Sequence, residues 1–482
     1  MTFGNRQVSK FGRPVMNPAS AARLQIVRHA APIWLLRSSR ALVVFSALAC
    51  PIIPAHARDD AERIQALEAR VAAQDAVIRE LSARIELLAR SATPIAPAPS
   101  PGAQPVLPSV QPTAISRPSP ITEIATADGV TIRPHGRLQV DALLVNSGDG
   151  NTPTGTQLRR LQLGAAGRIS PEFRYNVEVA YAGRQLGVED AIIAWAPGSN
   201  DEVIVGHFKP PVTLDELTSD NYTLFLERSA YASLLAPGRR VGIGYTHWSK
   251  DWGIRASISG ERDDVALDGA RQEGWVAAAR LHGNLLAGSP DVLHLAASTY
   301  YIRPSSTDRL FSYSVKPEAS RALAALSTGS FTASSGLFLG AEAAWSHGPF
   351  QFVAEGGRLR LSDVSGSQNA QLWGWSAQAS WRITGERRPY DSKAGSFGRI
   401  VPAHPIGKGW SGGWEVGLRM SQADLNDGLL TGGKLTTWGA VVNWIPVTHL
   451  RLSGNAILAR TERMGLPDNE QLLVALRAGI DW

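Results

Sequence analysis

From about Val130 to Trp482, apolar and polar residues alternate with a period of two. Leu138, Val140, Ala142 and Leu144 share one face, while Arg137, Gln139 and Asp141 share the other. Phe173, Tyr175, Val177, Val179 and Tyr181 alternate with Arg174, Asn176 and Glu178, and the last segment places Leu472, Val474, Leu476, Ala478, Ile480 and Trp482 together. Segments of this kind predict strands starting near 135, 156, 173, 188, 202, 239, 252, 273, 291, 336, 349, 371, 412, 434, 449 and 471. Their even number and alternation fit a 16-stranded antiparallel transmembrane β-barrel, an all-β fold with both ends on one side of a membrane. Alternation alone also fits a soluble β-sandwich. Aromatic residues near strand ends (Trp195, Tyr245, Trp345 and Trp381) and an aromatic last residue favour the barrel. Connections alternate between short and long, except that 384–411 falls on the side of the short turns and is too long for one.

The chain before the barrel has a different pattern. Ile64, Val71, Ile78 and Ile85 recur every seven residues, followed three positions later by Leu67, Gln74, Leu81 and Leu88. This predicts a short coiled-coil helix over 58–91. Its β-branched and Leu seams favour a dimer, whereas Arg63-Ile64-x-x-Leu67-Glu68 resembles a trimeric pattern; a single amphipathic helix on a partner also fits. Nine prolines between 92 and 120 make 92–129 an extended linker. Residues 1–57 read as a signal peptide: Arg37 and Arg40 precede the apolar run from Ala41 to Ile53, and Ala55-His56-Ala57 supplies a cleavage pattern. The n-region is long enough that translation could start at Met16. Cys50, the one cysteine, lies in this segment; Ala47 stands where a lipoprotein signal would place a larger aliphatic residue. The barrel domain is then 130–482, exported and without thiol chemistry.

Charge changes the picture once the signal is set aside. The formal net charge is +6, but 1–57 holds seven basic residues and no acid, leaving 41 basic against 42 acidic residues. Nucleic-acid binding on the basis of a basic chain is excluded. Strand parity instead concentrates arginine on the polar face: Arg137, Arg160, Arg174, Arg240, Arg255, Arg280, Arg382, Arg419, Arg451 and Arg477. Facing lipid, each would cost roughly 2–4 kcal/mol at mid-membrane, so parity predicts an arginine ladder inside the barrel. Six acids share those faces (Asp141, Glu178, Asp190, Glu342, Glu355 and Glu415). Ten cations against six predict a positive lumen that concentrates anions. The alternative is that each arginine pairs with an acid and braces the wall. Parity puts Arg159 and Arg239 at the rim.

The run Gly206-His207-Phe208-Lys209-Pro210-Pro211, then Leu214-Asp215-Glu216-Leu217-Thr218-Ser219, Asn221-Tyr222, Phe225-x-Glu227-Arg228-Ser229 and Pro237-Gly238-Arg239-Arg240-x-Gly242, resembles the phosphate-selective porins O and P. Leu158-Arg159-Arg160-Leu161, Thr384-Gly385-Glu386-Arg387-x-Pro389-Tyr390 and Asn443-Trp444-x-Pro446 extend the resemblance over 130–482. It implies an outer-membrane porin that assembles as a homotrimer, with the third external loop folded into the lumen. Lys209 and Arg228 would then stand at the two ends of that loop, and Arg160 and Arg240 on adjoining strands, as an anion-binding constriction. The family's eyelet is rich in lysine, whereas only six lysines follow the signal here and Lys209 alone matches a motif position.

The expected function is therefore a passive outer-membrane channel for anions such as phosphate or related oxyanions. Alternatives are a weakly selective nutrient pore, or an envelope tether that engages peptidoglycan or a periplasmic protein through 58–91. No cofactor, metal or nucleic acid is expected. Gly409-Trp410-Ser411-Gly412-Gly413 fits G-x-S-x-G but lacks the strand–turn–helix setting of a nucleophile elbow. The ten histidines show no H-E-x-x-H spacing.

Overall fold

The computed structural model describes residues 123–482, apart from 127, 148–153, 183–184, 261–272, 287, 306–308 and 408–410. The expected signal, coiled coil and most of the Pro-rich linker lie outside the described residues.

Sixteen strands close one antiparallel barrel. They are β1 (Thr131–Ser147), β2 (Gly155–Arg168), β3 (Phe173–Ala182), β4 (Gln185–Trp195), β5 (Asp201–Phe208), β6 (Arg240–Trp248), β7 (Trp252–Ser259) and β8 (Trp275–Asn284). The second half comprises β9 (Val292–Arg303), β10 (Ser335–His347), β11 (Phe350–Val364), β12 (Gln368–Arg382), β13 (Gly413–Asp427), β14 (Leu430–Val447), β15 (Leu450–Glu462) and β16 (Asn469–Asp481). Each starts within about four residues of its expected position, because a half-wetted strand has to alternate wherever one side meets lipid. β16 pairs with β1 from Arg137↔Asp481 to Ser147↔Gln471. Trp482 and Gly136 exchange both backbone hydrogen bonds at 3.0 Å. A Cβ on Gly136 would lie 2.5 Å from the Trp482 ring, so the seam requires glycine there. The outer face is apolar, with Leu144, Val205, Val241, Leu281 and Leu476 all more than half exposed. Trp345, Phe352, Phe350 and Trp381 stack in pairs near the periplasmic rim, as the aromatic girdle of a membrane barrel does.

Two features depart from simple parity. First, inward positions near the external end of β10–β16 are also apolar. Phe338, Leu359, Leu361, Leu372, Leu425, Leu435, Ile457 and Leu473 are almost fully buried. They pack against chain that folds back inside: helices α1 (Leu214–Leu217) and α2 (Ala230–Leu235) between β5 and β6, and a hairpin (Leu310–Val315 with Leu326–Thr332) between β9 and β10. Second, bulges shift the pattern. Gln139/Val140 face Arg160 and Leu158 across an irregular register, so Arg159 and Arg160 both point inward. The rim position expected for Arg159 is therefore wrong. A second bulge, opposite Val177/Val179, turns Glu189 and Asp190 to the same side. Arg239 pairs with both carboxylates rather than standing free at the rim.

Residues 383–412, too long for a periplasmic turn, carry a small hairpin (Tyr390–Asp391 with Ser396–Phe397) that reaches inward wall residues. Arg280 donates to the carbonyls of Ala394 (3.1 Å) and Gly395 (2.8 Å). Nε2 of His282 lies 2.8 Å from the Ser392 carbonyl, and Nδ1 of His294 lies 2.7 Å from the Tyr390 hydroxyl. This return into the barrel is why the connection is long. Among the described residues, no helix is long and apolar enough to cross a membrane.

Candidate functional site

The connection between β5 and β6 is held by caps and by the far wall. The Thr213 hydroxyl accepts from the Glu216 amide at 3.2 Å, and the Ser229 hydroxyl accepts from the Ala232 amide at 3.2 Å. Glu355 on β11 accepts from the Leu214 and Asp215 amides (3.0 and 3.2 Å). Glu318, at the tip of the other inward connection, accepts from the Ala230 amide (2.8 Å), Thr437 (2.9 Å) and Arg419 (3.0 Å). One carboxylate thereby joins both connections to β13 and β14.

Lys209 and Arg228 converge on Glu216, at 2.8 and 2.9 Å. Arg228 also reaches Asp220 (3.3 Å), which is bonded to Arg160 and lies 3.6 Å from Arg137. Burial pushes the Asp220 carboxyl up, but Arg160, Arg137 and Arg228 outweigh it and hold it well below the usual range. Glu227 binds Arg159 through both oxygens (2.9 Å each) and Arg477 at 2.6 Å. Its burial is likewise outweighed by Arg159 and Arg477, which lower its carboxyl to about 2. Arg477 completes the cluster on Asp141 at 2.7 Å.

All ten parity-selected arginines lie on the inner side, and Lys209 and Arg228 join them, but most carry a carboxylate. Arg174 pairs with Glu202 (2.6 Å through Nε), Arg280 with Glu342 (2.5 Å), Arg382 with Glu415 (3.9 Å) and Arg419 with Glu318. With the Lys209, Arg228, Arg160, Arg137 and Arg477 pairs, at least nine of the twelve expected cations are ion-paired among the described residues. Arg240 donates to the Gly260 carbonyl (3.0 Å) and Arg451 to that of Leu224 (2.9 Å). The expected excess of ten cations over six acids does not survive. Parity counts only strand side chains, whereas Asp215, Glu216, Asp220, Glu227 and Glu318 enter on the inserted connections.

Arg255 differs. Its register partner on β8 is Arg280, so two guanidiniums stand directly opposite on the inner face. Glu342 neutralises Arg280, and Arg255 makes no carboxylate contact among the described residues. Lys393, from the periplasmic hairpin, approaches the same wall, 2.8 Å from Glu202 and 4.5 Å above the Trp248 ring. Sequence reading missed Lys393 and Arg159. Only the double basic pair at 159–160 signalled one of them. No group of three or more metal-ligating side chains occurs among the described residues.

A closed sixteen-stranded barrel with an apolar outer belt, an ion-paired inner wall and segments folded inside defines a porin-type channel of an outer membrane. The chain belongs to the phosphate-selective porin O and P family, whose model matches residues 132–482. An uncharacterized protein of Caulobacter vibrioides is 26% identical over 419 residues, covering 82% of this chain and 84% of that protein. Among solved structures, the chain is similar to a loop-deletion mutant of OmpT, an outer membrane protein of Vibrio cholerae (11% identity, TM-score 0.48, 73% of this chain and 99% of that one). It is also similar to an anion-selective porin from Comamonas acidovorans (11% identity, TM-score 0.45, 73% and 100%).

Proposed function

We propose that this channel prefers anions and passes phosphate or related oxyanions passively, as a homotrimer, with 209–239 and 383–412 setting its narrowest part. The observation that carries this reading is the Arg255–Arg280 juxtaposition. Arg280 already has its carboxylate in Glu342, so Arg255 is the guanidinium of that rung without one among the described residues, and a permeating oxyanion supplies its counter-charge. Guanidinium suits the task because it stays charged at any relevant pH and donates two parallel bonds to an oxyanion. The ion-paired arginines then hold the inserted segments in place, and Arg255 and Arg451 serve the solute. The anion-binding constriction of Lys209, Arg228, Arg160 and Arg240 is retained as a proposal in which the first three act chiefly through Glu216 and Asp220.

The signal peptide, coiled coil and linker belong to the same proposal. The mature chain starts at Arg58, and 58–91 brings three copies together in the periplasm. The test of function is chloride current through the reconstituted full chain while phosphate is added at constant ionic strength. The proposal predicts a saturable fall in current. A second reading, a weakly selective nutrient pore, is favoured by the near balance of cations and carboxylates around Asp220; it predicts an ohmic current indifferent to phosphate.

A further inference from the structure

We propose that the outer wall of β9–β11 seats the phosphorylated headgroup of an outer-leaflet glycolipid on Arg303, Arg358 and Arg360. This inference requires only that the barrel lie in the membrane, not that its lumen prefer anions.

Arg358 and Arg360 lie on the lipid face of β11. They continue the exposed series Phe350, Phe352 and Ala354, while the interleaved Leu359 and Leu361 are fully buried inside. No bulge intervenes between 350 and 361 on either flanking ladder, so the face is continuous. Arg303 ends the corresponding outward series on β9, two strands away, and is exposed as well. Arg358 is eight residues above Phe350. At about 3.4 Å per residue and a tilt of about 40°, it stands roughly 21 Å above the periplasmic girdle, with Arg360 about 26 Å above it. The apolar belt of such barrels is about 25 Å tall. The arginines therefore emerge where outer-leaflet headgroups begin.

On this wall His347 is paired with Asp291 (2.6 Å), and elsewhere at the barrel's rims Arg460 is paired with Asp468 (2.7 Å) and His247 with Asp201 (2.9 Å). The three arginines find no carboxylate among the described residues. A partner from outside the chain with the opposite charge answers this, and guanidinium pairs matched to phosphate oxygens supply the chemistry. Trp373, directly opposite Arg358 on β12, gives a flat shelf beside the headgroup, and the apolar wall below receives acyl chains.

The test is native mass spectrometry of the full chain with bis-phosphorylated lipid A, compared with the same lipid after removal of both phosphates. The wild type is expected to retain the phosphorylated lipid at least tenfold better. Arg358→Gln/Arg360→Gln should lower that retention by about tenfold and Arg303→Gln by a few fold, with single-channel conductance and subunit stoichiometry unchanged. Equal retention of the two lipids by the wild type would overturn the proposal, whether or not the double variant inserts. So would undiminished retention by the double variant, or a change in its stoichiometry with lipid binding intact, which would make these arginines a contact between copies of the chain.

Discussion

Replacing Arg255 with glutamine removes one guanidinium from the inner wall without stranding a carboxylate, since none among the described residues is bonded to it. The structure sets the size of the effect. An anion held about 5 Å from that guanidinium, in a wetted lumen of effective dielectric 40–80, gains about 1–1.5 kcal/mol per unit charge. Phosphate near pH 7 carries between one and two charges, so about 1–3 kcal/mol is lost and the half-blocking phosphate concentration should rise by roughly five- to a hundredfold. The assay is chloride current through many channels in a planar bilayer, titrated with phosphate at fixed ionic strength. Repetition at higher salt should shrink the difference, because screening acts within about 10 Å at 0.1 M. Arg358→Gln, which removes a charge from the outer wall, should leave the titration where it is. If Arg255→Gln blocks at the wild-type concentration, the Arg255–Arg280 pair does not bind the permeating ion and the reasoning fails.

Arg477→Gln leaves Asp141 and Glu227 buried without their shared cation. That should cost about 3 kcal/mol and lower the temperature at which the barrel loses its compact mobility in detergent gels. Glu318→Ala frees the Ala230 amide, Thr437 and Arg419 together. Conductance should rise by roughly twofold, and limited proteolysis should open 304–334 first, as expected when a connection loses its anchor. The pH response follows from Glu227, whose carboxyl is lowered to about 2 in the folded chain. A depressed carboxylate contributes its stability fully above its unfolded value of about 4.3 and loses it as pH falls from there through 2. Conductance and tryptophan fluorescence should therefore hold from pH 7 to about 4.5 and change only below that.

The barrel was legible because lipid on one side forces alternation, and every strand of the sixteen carries it. Charge balance was not. Strand parity points Arg160 and Arg477 inward, yet their partners Asp220 and Glu227 sit on a connection with no period to read. The bulge that turns Arg159 inward leaves no mark beyond two adjacent arginines, and a one-residue bulge reverses the parity of everything after it. Leu359 and Leu361 misled in another way. Inward positions were expected to be polar, but a segment packed inside a barrel creates a second apolar interface, which resembles an ordinary buried strand. Residues 383–412 gave only their length as a clue, since the backbone hydrogen bonds that hold the hairpin to Arg280 and His282 depend on no particular side chain of its own.

The most direct test of the central claim is the zero-current potential of the unmodified protein in a planar bilayer under a tenfold potassium chloride gradient. The account predicts stepwise, water-filled conductance and a potential of the sign set by chloride moving faster than potassium. A potential of the opposite sign, or protein that stays soluble without detergent and forms no steps, would contradict it.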